Sequence, residues 1–416
     1  MDAVRIYGGE SLSGQTRIQG SKNASLPILA ATLLTDGICE IENCPDIADV
    51  YHMLRLLRSL GCQVEREGNV IRVDTTRLSE CDMPADSVGV MRSSIMLLGA
   101  LLARTGAVSM EYPGGCVIGK RPIDLHLRAL RQMGVEITEE ETGFRAAASR
   151  LTGAVQELPF VSVGVTENLI LAAVLARGET VIHPAAREPE IQALCEFLIS
   201  AGGKIEGVGT DCLVIEGVER LHPVRFRVPS DRIVAGTYLA ACLCTGGRVF
   251  LKDAPCAHME SVITCAERLG ARTDREADGL LVEGRADRRL DDGIVTAVYP
   301  GFPTDLQSLF MVVMAFSGQD GWIEERVFEN RFRIVPELVK MGACIQVAGT
   351  RAYIHGGEPL HNTIVEAKEL RGGAALVVAA LAAEGTGIVK NRHYIDRGYE
   401  DITLSLRELG AAIELA

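Results

Sequence analysis

The sequence predicts an α/β protein of two domains, each built from three copies of one helix-and-strand unit. A chain of 416 residues exceeds the ~250 to 300 at which a single core stops growing, so two domains are expected. Hydrophobic residues make up 47% of the chain and aromatic residues only 5%, and such small apolar side chains suit helices packed closely on sheets. The third observation is a short phrase that recurs six times along the chain.

The recurrent phrase indicates the end of an amphipathic helix followed by a strand. Its copies are LRSLGCQV, LRQMGVEI, LISAGGKI, AERLGART, LVKMGACI and LRELGAAI. Each has glycine in fifth place, at Gly61, Gly134, Gly202, Gly270, Gly342 and Gly410. Glycine is favoured just after a helix because the backbone there adopts a left-handed conformation. The copies lie about 70 residues apart, which sets the length of the repeating unit.

A second, more apolar helix is predicted about 40 residues before each of these glycines. The segments are NASLPILAATLLTDG, RSSIMLLGALLARTG, SVGVTENLILAAVLARG, SDRIVAGTYLAACLCTGG, TDLQSLFMVVMAFSG and LRGGAALVVAALAAEG. They are apolar on nearly every face, which is typical of buried helices. The unit is therefore predicted to be a buried helix, a strand, a surface helix and a strand, and six units divide into two domains of three.

Polar residues stand where the helices begin. For the buried helices these are Lys22, Asn23, Arg92, Ser162, Asp231, Thr304, Asp305 and Arg371, and the surface helices are predicted to start at Arg121, Arg187, Arg331 and Arg397. A single such residue is ordinarily a cap. Lysine and arginine oppose the positive end of the helix dipole, however, so their recurrence there predicts a bound anion. If the buried helices of each domain run the same way and the domains face each other, these cations line a cleft for a multiply anionic ligand.

Composition excludes several classes of function. A net charge of -13 argues against nucleic acid or an anionic membrane as a partner. The longest apolar stretch, 374–383, is shorter than the ~20 residues that span a bilayer, and the N-terminus lacks a signal-like segment, so a cytoplasmic protein is expected. No cofactor or metal is expected, since the close pair Cys242 and Cys244 lies in an apolar run typical of a core. GESLSGQT lacks the lysine of a phosphate-binding loop and lies between VRIYG and TRIQG, which predict a β-hairpin.

One cysteine has the surroundings of a reactive thiol. In PGGCVIGKRP, Gly114 and Gly115 expose Cys116, and Lys120 and Arg121 favour its thiolate. A loop cysteine considered alone is more often incidental. If Cys116 is reactive, its surroundings suit a proton donor or a covalent trap for an electrophilic anion. Asp305, in YPGFPTDLQ, either caps a buried helix or takes a proton from a substrate hydroxyl.

A set of motifs follows in order along the whole chain: GSKNASLPIL, MRSSI, PGGCVIGKRPIDLH, VSVGVTEN, AAREPEI, PSDRI, PGFPTDLQ, VFENRF, ELRGG and YIDRGYE. Together they resemble the enolpyruvyl transferase family, specifically its members that use UDP-N-acetylglucosamine. The resemblance implies two inside-out α/β barrels with their helices inside, at 21–229 and at 1–20 plus 230–416. It implies that the enolpyruvyl group of phosphoenolpyruvate moves to the 3′-hydroxyl of UDP-N-acetylglucosamine with release of phosphate, the first committed step of peptidoglycan synthesis. A monomer is expected.

The resemblance also implies roles for individual residues. The catalytic set is Cys116, Asp305, Lys22, Arg397 and Glu369. Cys116 would donate a proton to the methylene carbon of phosphoenolpyruvate, and the epoxide fosfomycin is expected to alkylate it. Asp305 would orient or deprotonate the sugar hydroxyl. Glu369 stands where aspartate is expected, one methylene longer.

Substrate contacts are implied as well. Lys22, Arg121 and Arg397 would hold the phosphate, and Arg331 and Arg371 would face the carboxylate. The UDP-sugar site would be lined by Asn23, Arg92, Arg121, Pro122, Ile123, Asp124, Leu125, Phe160, Val161, Ser162, Val163 and Val327. Phe160 replaces a lysine that some members carry.

Two alternative functions share part of the sequence evidence. The sister transferase that acts on shikimate 3-phosphate lacks the cysteine loop, so Cys116 argues against it. A non-catalytic UDP-sugar sensor is the other alternative, and it is disfavoured because Lys22, Cys116, Asp305 and Arg397 are all present.

Overall fold

The computed structural model describes residues 2–79, 82–83, 92–112, 114, 123–357 and 359–416, with the backbone alone at 92 and 93. Contacts within the chain divide it into two compact units. The first unit lies within residues 20–229, and the second comprises residues 2–19 and 230–416. The division into independently folding domains, at 21–229 and at 1–20 plus 230–416, stays a prediction.

The helices of the first unit are α1 (Lys22–Ala31), α2 (Ala48–Ser59), α3 (Met96–Thr105), α4 (Asp124–Gln132), α5 (Val163–Ala173) and α6 (Pro189–Ser200). Those of the second unit are α7 (Arg232–Thr245), α8 (Glu260–Leu269), α9 (Gln307–Phe316), α10 (Val335–Lys340), α11 (Leu370–Ala382) and α12 (Ile402–Glu408). Short 3₁₀ helices span Thr32–Leu34, Arg92–Ile95, Cys256–His258, Thr304–Leu306 and Arg392–Arg397.

The strands of the first unit are β3 (Ile38–Glu42), β4 (Gln63–Glu67), β5 (Val70–Asp74), β6 (Ala107–Glu111), β7 (Glu136–Glu139), β8 (Gly143–Ala147), β9 (Val155–Glu157), β10 (Glu179–His183), β11 (Lys204–Glu206), β12 (Leu213–Glu216) and β13 (Arg225–Arg227). The second unit has β1 (Ala3–Gly8), β2 (Leu12–Arg17), β14 (Gly247–Lys252), β15 (Arg272–Glu276), β16 (Gly279–Glu283), β17 (Ile294–Val295), β18 (Gly321–Glu324), β19 (Cys344–Ala348), β20 (Arg351–His355), β21 (Ile364–Glu366), β22 (Gly385–Lys390) and β23 (Ala412–Leu415).

The described strands of each unit form three sheets, one for each repeat. The orders are β13-β3-β5-β4, β6-β8-β7 and β11-β12-β10-β9 in the first unit, and β15-β16-β14-β2, β17-β18-β20-β19 and β21-β22-β1-β23 in the second. In the first repeat the surface helix α2 is followed by the antiparallel pair β4 and β5, not by the single strand that the repeat predicted. A distant strand then adds in parallel, as β13 does on β3.

The predicted hairpin at the N-terminus is wrong. β1 and β2 lie in different sheets: β1 pairs antiparallel with β22 and β23, and β2 pairs parallel with β14. The reason is the position of the last repeat, in which the chain ends after β23 without a second hairpin strand. β1 takes that place from the other end of the chain.

The buried helices form the interior of each unit. In the second unit α7, α9 and α11 pack on one another, and every residue of α7 from Ile233 to Cys244 is buried. In the first unit α3 packs on both α1 and α5. Each unit has its own hydrophobic core. The prediction of an α/β fold with apolar helices inside the sheets is therefore confirmed, and none of the described helices is long and apolar enough to cross a bilayer.

The glycine prediction is confirmed at all six positions. The φ angles of Gly61, Gly134, Gly202, Gly270, Gly342 and Gly410 lie between +87° and +125°. Residues with a Cβ rarely adopt this region, so the turn after each surface helix depends on glycine.

The helix interior gives a stability prediction. Phe310 of α9 is fully buried, and its ring lies 4.9 Å from that of Phe302 in an edge-to-face arrangement. Phe310→Ala should lower the free energy of unfolding by about 3 to 5 kcal/mol, because it removes buried area and leaves a cavity. Urea unfolding measures this, with Phe160→Ala as the control because Phe160 is 61% exposed. Equal losses in both variants would contradict the buried position of α9.

Candidate active site

In the second unit the N-termini of three buried helices lie close together. Asp231 caps α7, where Oδ1 accepts hydrogen bonds from the backbone N–H of Ile233 (2.8 Å) and Val234 (3.0 Å). The 3₁₀ helix 304–306 leads into α9. Arg371, the second residue of α11, interacts electrostatically with both Asp231 and Asp305. The convergence of helix starts expected from the sequence is therefore present in this unit.

Asp305 bridges two buried arginines. Its Oδ1 lies 2.7 Å from Nη2 of Arg331, and its Oδ2 lies 3.2 Å from Nη2 of Arg371. The arginine side chains are only 2% and 3% exposed, whereas that of Asp305 is 26% exposed. The structure thus brings together three predicted site residues, Asp305, Arg331 and Arg371, and part of the Asp305 side chain stays accessible.

The surroundings keep Arg371 charged. Burial alone would lower its pKa, but the carboxylates of Asp305 and Asp231 and the ring of Tyr399 together raise the pKa of Arg371 above its ordinary value. The guanidinium carbon lies 5.7 Å from the centre of the Tyr399 ring. The Tyr399 hydroxyl bonds with Thr237 Oγ1 of α7 at 2.7 Å. Tyr399 belongs to the YIDRGYE motif, yet no local pattern indicates this contact, because residues 237, 371 and 399 are far apart in the chain.

Both arginines retain donors without a partner. Arg331 Nε and Arg371 Nη1 are buried and make no hydrogen bond with the part of the chain that the structure describes. Buried polar groups are nearly always paired, and leaving one unpaired costs about 1 to 3 kcal/mol, more when it is charged. Two adjacent guanidinium groups with spare donors match a planar anion such as a carboxylate.

Glu369 caps α11 with both carboxylate oxygens. Oε2 accepts a hydrogen bond from the backbone N–H of Arg371 at 2.9 Å, and Oε1 accepts one from Gly372. Glutamate is not among the preferred capping residues, but its longer side chain folds back far enough to reach these groups. The cap fixes the turn that carries Arg371. A catalytic role for Glu369 stays a prediction.

Two of the predicted helix starts are wrong. Arg331 precedes α10 by four residues, because Pro336 fixes the first turn of that helix. Arg397 is the last residue of a 3₁₀ helix that packs on α11, and Gly398 ends it. α12 begins instead after Asp401, which caps the N–H groups of residues 403 and 404.

In the first unit Lys22 is the first residue of α1, as predicted. Its Nζ lies 2.8 Å from Oδ2 of Asp49, a nearly fully buried residue in the first turn of α2. Ser21 caps α1 by accepting a hydrogen bond from Ala24. The inference that each cation at a helix start requires an external anion is therefore too strong, because Asp49 and Asp305 already supply counter-charge. Sequence reasoning missed Asp49, since nothing in its local pattern distinguishes it from an ordinary acidic residue in a first turn.

Most of the other first-unit candidates that the structure describes lie near the starts of α4 and α5, while Asn23 lies in the first turn of α1. Ser162 caps α5, and its hydroxyl accepts from Val165 N–H at 3.5 Å. Phe160 and Val163 are exposed, Asn23, Leu125, Val161 and Ser162 are half-buried, Ile123 is buried and Asp124 is exposed. Arg92 begins a 3₁₀ helix. Cys116, Arg121 and Pro122 lie outside the described residues. Within the described part of the chain, no cluster of histidine, cysteine, aspartate or glutamate is arranged to hold a metal ion.

Similarity to known proteins identifies the class of enzyme to which this fold belongs. A family model described as EPSP synthase (3-phosphoshikimate 1-carboxyvinyltransferase) matches residues 6–406. The enolpyruvyl transferase NikO from Streptomyces tendae superposes with a TM-score of 0.88 at 27% identity, over 99% of this chain and 98% of that one. The EPSP synthase of Acinetobacter baumannii has a TM-score of 0.77 at 19% identity over the full length of both chains. The fold is that of the carboxyvinyltransferases, as predicted.

Closer relatives define the family. The chain is 44% identical to UDP-N-acetylglucosamine 1-carboxyvinyltransferase 2 of Caldanaerobacter subterraneus subsp. tengcongensis, over 99% of each chain. It is also 44% identical to the UDP-N-acetylglucosamine 1-carboxyvinyltransferase of Acinetobacter baylyi, over 100% of this chain and 99% of the relative. The chain belongs to the UDP-N-acetylglucosamine 1-carboxyvinyltransferase family, which confirms the resemblance found in its motifs.

The shared carboxylate gives a second stability prediction. Asp305→Asn should lower the free energy of unfolding by about 1 to 3 kcal/mol, because it removes the negative charge that two buried guanidinium groups share. The measurement is urea unfolding without ligand. Asp274→Asn, on the exposed strand β15, is the matched control and should stay within about 0.5 kcal/mol of wild type. A stability of Asp305→Asn equal to that of the control would show that the arginines do not depend on Asp305.

Proposed function

We propose that this protein transfers the enolpyruvyl group of phosphoenolpyruvate to the 3′-hydroxyl of UDP-N-acetylglucosamine and releases phosphate. The observation that carries the proposal is the pair of buried arginines that share Asp305 while each keeps an unpaired donor. Such a pair suits the binding of a ligand carboxylate. The neighbouring carboxylate of Asp305 could then act on a hydroxyl group of the acceptor. The names of the full-length relatives support the same reaction.

Phosphoenolpyruvate would be held by groups suited to its two anionic ends. Arg331 and Arg371 bind the carboxylate with the donors they have to spare, since a guanidinium presents two parallel N–H groups to such a group. Lys22, Arg121 and Arg397 bind the phosphate. Their positive charge stabilises the phosphate as it leaves.

Proton transfers accompany formation and loss of the tetrahedral centre. Cys116 donates a proton to the methylene carbon as the sugar oxygen adds to the adjacent carbon, and Asp305 accepts the hydroxyl proton. The methyl carbon then returns a proton to the Cys116 thiolate as the bond to phosphate breaks, which restores the double bond, and the departing phosphate takes up the proton held by Asp305. The partial exposure of the Asp305 side chain is consistent with contact to a hydroxyl. Glu369 acts here by holding the turn that carries Arg371.

The UDP-sugar would contact residues at the starts of α4 and α5, among others. The residues proposed to line it are Asn23, Arg92, Arg121 to Leu125, Phe160 to Val163 and Val327. Phe160, 61% exposed, offers an aromatic face where a lysine would offer charge. A cytoplasmic location and a monomeric state stay predictions.

The direct test is acceptor-dependent release of phosphate. Purified protein with phosphoenolpyruvate should release phosphate when UDP-N-acetylglucosamine is present and not when shikimate 3-phosphate replaces it. The physical reason is that the two acceptors differ in size and charge far from the reacting hydroxyl. Release with shikimate 3-phosphate alone would assign the protein to the sister reaction, and release with neither acceptor, despite UDP-sugar binding, would indicate a sensor.

The thiol has its own test. Cys116→Ser should lower turnover by at least about 100-fold, because a serine hydroxyl is a far weaker acid than a thiol. Fosfomycin should add one equivalent of mass to wild type and none to Cys116→Ser, as measured by intact-protein mass spectrometry. Cys344→Ser, which removes an exposed cysteine, is the control and should still be labelled. Full turnover in Cys116→Ser would place the proton donor elsewhere.

A further inference from the structure

Glu325 is a buried carboxylate without a role in the function described so far. Its side chain is almost completely inaccessible, and the residue is 2% exposed. Oε1 accepts hydrogen bonds from Thr296 Oγ1 (2.9 Å), from Val327 N–H (2.8 Å) and from Phe328 N–H (3.0 Å), while Oε2 accepts one from Thr304 Oγ1 (2.9 Å). All four donors are uncharged.

This arrangement is costly as a purely structural device. Removing a carboxylate from water is expensive, and the expense is normally offset by a cation. The hydrogen bonds that the structure describes for Glu325 all come from neutral hydroxyl and amide groups, so these donors must be held tightly to compensate. An ionised carboxylate accepts hydrogen bonds at both oxygens and donates none, which suits it to gather four donors from separate segments.

The donors belong to the segments that carry the Asp305 site. Thr304 is the residue before Asp305, and Val327 and Phe328 begin the segment that ends at Arg331. Arg331 Nη2 donates to the backbone oxygen of Thr304 (3.3 Å) and to Asp305 Oδ1 (2.7 Å). The two segments therefore meet twice, once through Glu325 and once through Arg331, and the contacts form a closed ring.

We propose that Glu325 is a positioning residue, which sets the distance between Arg331 and Asp305 by fixing Thr304 on one side and the backbone at 327 and 328 on the other. Arg331 reaches Asp305 with a long side chain whose own rotamers do not specify the position of its guanidinium group. The ring supplies that restraint. Because Arg331 is proposed to bind phosphoenolpyruvate, the kinetic part of this inference rests on the proposed function, while the geometric part does not.

The test uses a substitution that cuts the ring at one bond. Thr304→Val keeps the branched shape and loses the hydroxyl that reaches Glu325, and Thr304→Ser keeps the hydroxyl. We expect Thr304→Val to lower kcat by about 10- to 100-fold, since displacement of a catalytic group by about 1 Å costs up to 100-fold. The KM for phosphoenolpyruvate should rise, and the KM for the UDP-sugar should stay within about twofold of wild type, because Thr304→Val leaves the hydrogen bonds between Glu325 and the Val327 segment in place.

Thr304→Ser should recover most of the lost turnover. Thr180→Val is the control, because Thr180 is fully buried and its hydroxyl has no hydrogen-bond partner. A general loss of folded protein would reduce apparent kcat without altering either KM. The positioning role would therefore be overturned if Thr304→Val changed the KM of both substrates equally. It would also be overturned if Thr304→Ser did not recover turnover.

A crystal structure of Thr304→Val tests the geometry independently of activity. The Arg331 Nη2 to Asp305 Oδ1 distance, 2.7 Å in the parent, should open beyond hydrogen-bonding range. If wild type fails to release phosphate with UDP-N-acetylglucosamine, the proposed function is wrong, and this distance alone decides the inference. An unchanged distance with unchanged kinetics would show that Glu325 serves only the packing of its own strand end.

Discussion

The structure depends on one constraint: helices that are apolar on every face must be enclosed completely. α7, α9 and α11 meet this requirement by packing on one another and against the sheets around them. Their side chains form the hydrophobic core, where a charged residue would be costly. Polar groups can then stand only where the helices start. The N–H groups exposed there are satisfied by Asp231 and Glu369, whose negative charge also suits the positive end of the dipole.

The same constraint explains why arginines occur at positions that the dipole disfavours. Arg371 stands within the first turn of α11, yet it is almost fully buried and strongly paired with Asp305. The pairing is incomplete, because one carboxylate serves two guanidinium groups and each retains a free donor. A fully satisfied ion pair would contribute stability and nothing more. The spare donors instead make this part of the molecule suited to an anionic ligand, at some expense in stability.

Much of this could be predicted from the sequence because it is encoded locally. The left-handed glycines and the apolar helices appear as short patterns, and each is confirmed. The failures concern contacts between distant parts of the chain. The hairpin interpretation failed because β1 and β2 do not pair with each other. Their partners are β22 and β14, which lie far along the chain.

Site residues divide in the same way. Asp305 and Arg371 stand out at predicted helix starts, whereas Asp49, Tyr399 and Glu325 have ordinary local contexts. Their importance follows only from what the fold places beside them. Arg331 pairs with Asp305 although its predicted place at a helix start is wrong, and its role as a ligand of the substrate stays a prediction that rests on the motif.

The N-terminal strand β1 shows that the site also depends on residues far away in the sequence. β1 lies between β22 and β23, so the last sheet of the second unit is complete only when both ends of the chain are present. α11, which carries Arg371, packs on β1. Asp2 extends the contact beyond the sheet, because its carboxylate accepts a hydrogen bond from the backbone N–H of His393 at 2.8 Å, within the 3₁₀ helix that ends at Arg397. The first residues of the chain thus support two of the proposed phosphoenolpyruvate ligands, from a position that no motif marks as functional.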